Sequence, residues 1–104
     1  MADEQTFRTP HGTLRLQLEP EVKRGTYSNF QVLSSNETEF VLDFAYLPPG
    51  QQGGDVLARM ILSPKHAKVL MTLLGQRIAD YEARFGPIAP PSQPPPTTGS
   101  GLPN

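Results

Sequence analysis

No cysteine and no tryptophan occur among the 104 residues. The first absence excludes disulfides, thiolate metal sites and a cysteine nucleophile, and it fits a reducing compartment. Histidine is almost as scarce: His11 and His66 are the only two. They supply no H-x-x-x-H or H-E-x-x-H spacing, so neither a metal site nor a cofactor is expected. An excess of one charge is also missing, since nine basic residues meet ten acidic ones for a net charge of −1. A basic face for nucleic acid is therefore not expected. No apolar run approaches the roughly 20 residues that a membrane-spanning helix needs, so no membrane partner is expected either. The opening residues, Met1-Ala-Asp-Glu-Gln5, are acidic and polar where a secretion signal is basic and then apolar. A cytoplasmic location is the expectation.

What the chain does hold is one long amphipathic segment, Ser63 to Phe85. Ser63 suits the N-cap, because its hydroxyl accepts from a first-turn N–H that has no helical partner. Pro64 falls at N1, where its fixed φ fits and its missing donor is not needed. Gly86-Pro87 closes the segment, so a helix is predicted over about 64–85. At about 100° per residue, Ala67, Leu70, Met71, Leu74, Ile78, Tyr81 and Phe85 form one apolar stripe. Such a helix is built to cover something.

Upstream the period changes from 3.6 to 2. Leu14, Leu16 and Leu18 alternate with Arg15 and Gln17, which predicts a strand over about 13–19 that stops at Pro20. Further strands are predicted over about 27–34, 39–47 and 56–62, separated by the Ser34–Thr38 turn and the Pro48–Asp55 loop. The expected fold is α+β: an antiparallel sheet of three to four strands followed by one long C-terminal helix. Residues 1–12 lack periodicity and read as a mobile leader, 13–86 as a single domain, and 87–104 as a proline-rich disordered tail. That tail holds seven of the twelve prolines, and its Pro91-Ser-Gln-Pro94 matches a PxxP ligand, a match that a proline-rich stretch produces easily.

Antiparallel register sharpens the reading, because residues facing the same way must lie opposite one another. Phe44 opposite Ala58 and Leu42 opposite Met60 satisfy this across the Pro48 loop; Phe30 opposite Leu42 and Val32 opposite Phe40 satisfy it across Asn36. The first pairing sets Asp43 across from Arg59 and predicts an ion pair between them. On that same face Val41, Ala45, Leu47, Leu57 and Ile61, with Leu33, are too apolar for water. One helix covers one face of a sheet. Val69 and Leu73 also fall outside the helix stripe, and Gly75 borders it where a close backbone approach would offset its cost of about 1 kcal/mol. The expected self-association residues are therefore Val41, Ala45, Leu47, Leu57, Ile61, Val69, Leu73 and Gly75, and the expected partner is a second copy of the chain.

Ser63 beside His66 has no acid to orient the histidine, and capping explains the serine. Asp43 would be a candidate buried acid, but the Arg59 pairing accounts for it. Gly50-Gln-Gln-Gly-Gly54 has no lysine and leads into a strand, so it is not a phosphate loop. Asn36-Glu-Thr38 is a glycosylation sequon in a chain without a secretion signal. Tyr27 and Phe30 lack the basic neighbours of a base-stacking platform. No catalytic residue is assigned.

The run Tyr27-Ser-Asn-Phe30, then Phe40-Val-Leu-Asp-Phe44, then Ala58-Arg-Met-Ile-Leu-Ser-Pro-Lys-His-Ala-Lys68, then Tyr81-Glu-Ala-Arg-Phe-Gly86 resembles a family of small bacterial proteins known as a domain of unknown function. The resemblance covers Tyr27 to about Ile88. It implies a bacterial cytoplasmic origin and transfers no catalytic or ligand residue. The expected plan of strands followed by a helix is also similar, at the level of fold alone, to the bacterial export chaperone SecB. The expected function is a non-enzymatic homo-oligomeric scaffold or adaptor, reaching another protein through the sheet face or the proline-rich tail. The alternative is a SecB-like peptide-binding protein using an apolar sheet face, and a small enzyme using Asp43 or His66 is the third reading.

Overall fold

Residues 3–89 are described by a computed structural model. The elements run β1 (Asp3–Thr9), β2 (Gly12–Leu18), α1 (Pro20–Lys23), β3 (Phe30–Ser35), β4 (Phe40–Tyr46), β5 (Asp55–Leu62) and α2 (Pro64–Phe85). The fold is α+β, with two antiparallel sheets and one long C-terminal helix. Most of the proline-rich tail, residues 90–104, lies outside the described residues.

The first correction concerns residues 3–9, expected to belong to a leader without regular structure. They form β1 and pair with β2 throughout, from Asp3 opposite Leu18 to Thr9 opposite Gly12. The turn explains it. Thr9 Oγ1 donates to the Gly12 carbonyl at 2.8 Å and accepts from the His11 N–H at 3.2 Å, and Gly12 takes φ 126°, a conformation that side chains disfavour. Phe7 thereby faces Leu14. The strand at 13–19 thus joins a separate two-stranded sheet rather than the main one. Where the 13–19 strand was expected to stop, Pro20 opens the short α1, and Lys23 forms an ion pair with Asp3.

The main sheet has the order β3-β4-β5. Across the β4–β5 hairpin Phe44 lies opposite Ala58, Leu42 opposite Met60 and Asp43 opposite Arg59. After Phe44 the register shifts so that Ala45 meets Val56, which leaves Leu57 as the extra residue of a bulge. At the mouth of this hairpin Gly54 passes so close to Tyr46 that any Cβ would overlap the Tyr46 carbonyl oxygen. The β3–β4 register departs from expectation: Phe30 meets Ala45, Val32 meets Asp43 and Leu33 meets Leu42. Asn36 causes the difference. Its Oδ1 accepts from the N–H groups of Thr38 and Glu39, both at 2.9 Å, and its own N–H donates to the Glu39 carbonyl at 2.9 Å. The loop therefore closes between Asn36 and Glu39, and β3 turns over relative to the expected pairing. Phe30 and Val32 join Val41, Asp43 and Ala45, while Leu33 moves to the opposite face with Leu42.

Helix α2 obeys its signals. Ser63 Oγ accepts from the His66 N–H at 3.2 Å, and Pro64 stands in the first turn. At the other end Gly86 takes φ 93°, its N–H donates to the Glu82 carbonyl at 2.9 Å, and the Glu82 carboxylate accepts from the Ile88 N–H at 2.8 Å. What the helix does not do is cover the sheet. No residue of α2 is buried, and Leu74, in mid-stripe, is 55% exposed. The Cα radius of gyration is 16.6 Å, where a compact chain of about 100 residues has about 13 Å.

Candidate functional site

The sheet centre is built around charge. Asp43 is buried in the middle strand, and Arg59 reaches it from β5 with Nε at 2.7 Å from Oδ1 and a terminal nitrogen at 2.9 Å from Oδ2. This fork is the strongest geometry a guanidinium and a carboxylate make. Those hydrogen bonds hold the Asp43 carboxyl below its ordinary value of 3.8, outweighing burial, which pushes it upward. The same bonds raise Arg59. The arrangement neutralises an acid inside an apolar strand.

Tyr27-Ser-Asn-Phe30 turns out to be an anchor for the end of the sheet. Asn29 lies outside β3, yet its side-chain amide behaves as one more peptide unit of that strand. Its Nδ2 donates to the Leu47 carbonyl and its Oδ1 accepts from the Leu47 N–H, both at 2.8 Å. The Asn29 backbone N–H and the Ser28 hydroxyl both donate to the Ala45 carbonyl, at 3.1 and 2.8 Å. Tyr27 meets Tyr46 edge to face, with ring centroids 6.3 Å apart. Sequence reading rejected Tyr27 and Phe30 as a base-stacking platform but missed Asn29, because side-chain mimicry of a backbone has no periodic signature.

The expected self-association residues fall into different settings. Val41 and Ala45 are only 4% and 8% exposed, enclosed in the central strand by this chain's own neighbours, so they offer little to a second copy. Leu47 ends beyond β4, half-buried, with its backbone held by Asn29. Leu57 at the bulge and Ile61 in β5 are exposed, Ile61 at 56%. On α2, Val69 and Leu73 line a shallow groove of about 340 Å³ with Lys65, Lys68, Thr72 and Gln76. Gly75 has open space where a Cβ would stand.

More apolar surface is bare than the sequence suggested. The main helix stripe, expected to be spent on the sheet, is exposed from Leu70 to Phe85, and Ile88 adds to it by lining a second shallow groove with Ile78 and Tyr81. Leu33 and Met60 are exposed on the sheet face opposite the ion pair, and Phe7, Leu14 and Leu16 on the hairpin. Phe7 was detectable from Thr9-Pro-His-Gly12, a turn signal that makes the preceding residues a strand. Among the described residues the buried apolar side chains are Val41, Leu42 and Ala45, and no side chain is fully buried. No group of three or more metal-ligating side chains is gathered among the described residues. No helix among them is long and apolar enough to cross a membrane.

Residues 1–90 match a family described as a protein of unknown function (DUF3467). The match takes in the first hairpin, which the resemblance of segments had left out. No curated protein and no solved structure matches the chain.

Proposed function

We propose that this chain, which belongs to that family of unknown function, is a non-enzymatic scaffold or adaptor that works as a homo-oligomer in a bacterial cytoplasm. The observation that carries the reading is the unfinished core. Twenty large apolar side chains are exposed among the described residues, whereas monomers rarely leave more than a few hundred Å² of contiguous apolar surface uncovered. Isolated two-stranded hairpins are marginal in water, and an amphipathic helix draws most of its stability from packing. The hairpin and the helix therefore each need a neighbour that the described residues do not supply. The forked Asp43–Arg59 pair and the shallow grooves along α2 support a binding role over a catalytic one.

Light scattering tests this directly. At tens of micromolar the expected mass is a dimer or a higher multiple of 11.4 kDa. A monomer mass with an intact, cooperative thermal transition sinks the reading. The exposed Leu33 and Met60 also favour a second reading, in which the sheet face receives client segments like a SecB-type chaperone. Capture of an unfolded protein and of an apolar dye by the native assembly supports that alternative; failure of both leaves the scaffold.

A further inference from the structure

The joint between β5 and α2 is a single residue. β5 ends at Leu62 and α2 begins at Pro64, so Ser63 alone makes the corner, with φ −67°, ψ 159° and its hydroxyl engaged by the His66 N–H. Connections between a strand and a helix that packs beside it run to about 2–6 residues. Pro64 stiffens the corner further, by fixing its own φ and confining Ser63 to extended conformations. The helix accordingly leaves the end of the sheet instead of doubling back over it. Of all its residues only Ala67 and Glu82 are even half-sheltered.

We propose that α2 of one copy lies across the Leu33–Leu42–Met60 face of a second copy, and that the exchange is reciprocal; the inference rests on the self-assembly reading above. Dimensions allow it: a helix of this length spans about 33 Å, and strands of this length span about 20–27 Å. Chemistry selects the face. The side bearing Leu42, Phe44 and Met60 has no charge at its centre, whereas the other side holds the Asp43–Arg59 pair there. Eight of the exposed large apolar residues lie on α2, and Leu33 and Met60 lie on the sheet face it would cover, so the exchange draws on bare surface of both elements. Pairing helix against helix would leave Leu33 and Met60 in water. Reciprocal exchange covers helix and sheet with one two-fold operation.

The lack of native cysteine makes the test direct. Met60→Cys and Leu74→Cys are made as separate chains with tags of different size, co-expressed, kept reduced until light scattering shows the mass of the unmodified protein, and then oxidised. The expected product is the mixed disulfide, formed about tenfold or more faster than either variant links to itself, because contact raises the effective concentration. Leu74→Cys linking mainly to itself means helix-to-helix contact and overturns the exchange while leaving self-assembly intact. In a single chain carrying both substitutions, closure within that chain, seen as a faster-migrating monomer, means that a copy covers its own sheet and also overturns it. A monomer mass for the unmodified protein removes the self-assembly reading itself. If either substitution prevents assembly, Leu33→Cys with Ile78→Cys poses the same question on the same two surfaces.

Discussion

Strand β4 and helix α2 are both largely apolar, and they end in opposite conditions. β4 lies between two partners, so Val41, Leu42 and Ala45 are sheltered by residues of the same sheet, and its one charge is met by Arg59. α2 has its local requirements met, with a cap at Ser63 and a stop at Gly86, yet none of its residues is buried. Hydrogen bonding behaves the same way in both: no buried side-chain polar atom lacks a partner among the described residues. The difference lies entirely in apolar contact. Local rules decide where an element starts and stops, whereas its cover has to come from a second surface, and among the described residues none buries any part of α2.

Four substitutions probe this contrast, and the most disruptive is on the helix. Leu74→Glu places a carboxylate in mid-stripe, where burial against an apolar face leaves it unpaired. The expected cost is about 3 kcal/mol or more, at least about a hundredfold in association, read as monomer mass and loss of helical circular dichroism. Unchanged mass and melting would show that the stripe faces water natively and would erase the contrast. Gly54→Ala is the counterpart on the sheet. Its Cβ meets the Tyr46 carbonyl, which is backbone and cannot step aside without opening the β4–β5 hairpin. A loss of about 2 kcal/mol in thermal unfolding is expected.

Asp43→Asn sharpens the sheet side. One flank of the pair is open to solvent, so the expected loss is about 1–2 kcal/mol, low in the range for charged hydrogen bonds. The folded carboxyl titrates below 3.8, so its contribution is fully present above that pH and is lost as pH falls through the depressed folded value. The gap in thermal midpoint between wild type and Asp43→Asn should therefore be constant near neutrality and close in acid. A gap that widens in acid would contradict the assigned pairing. Ser63→Ala is the smallest of the four, about 1 kcal/mol. Ser63→Asp should restore most of it, since the capping acceptor is kept; oligomer mass should be the same in both.

The legible part of the fold was whatever repeats along the chain. Ser63-Pro64 and Gly86-Pro87 bracketed the helix over the same residues that α2 occupies. Alternation across the Pro48 loop was enough to place Asp43 opposite Arg59, because pleat and loop agree there. Register across Asn36 was not legible by alternation alone. The side chain of Asn36 closes the loop at Glu39, and a three-residue displacement of β3 turns its faces over. β1 was missed because Gln5 and Asp3 dilute the apolar alternation that Phe7 begins, leaving only the turn chemistry of Thr9 to Gly12 as a signal. The surplus of apolar surface was visible, but its location was not. Counting faces assumed that α2 folds over its own sheet, whereas no residue of α2 is buried there.

The one-residue corner after β5 acts as a lever. A rotation of about 5° at Ser63 moves the far end of a 33 Å arm by about 3 Å, more than half the distance between neighbouring strands. In the proposed exchange, two backbone dihedrals at Ser63 thus set whether the two arms reach each other's sheet reciprocally. On that proposal, a residue inserted beside Ser63 would redirect the arm and disrupt the two-fold exchange without touching a single contact surface.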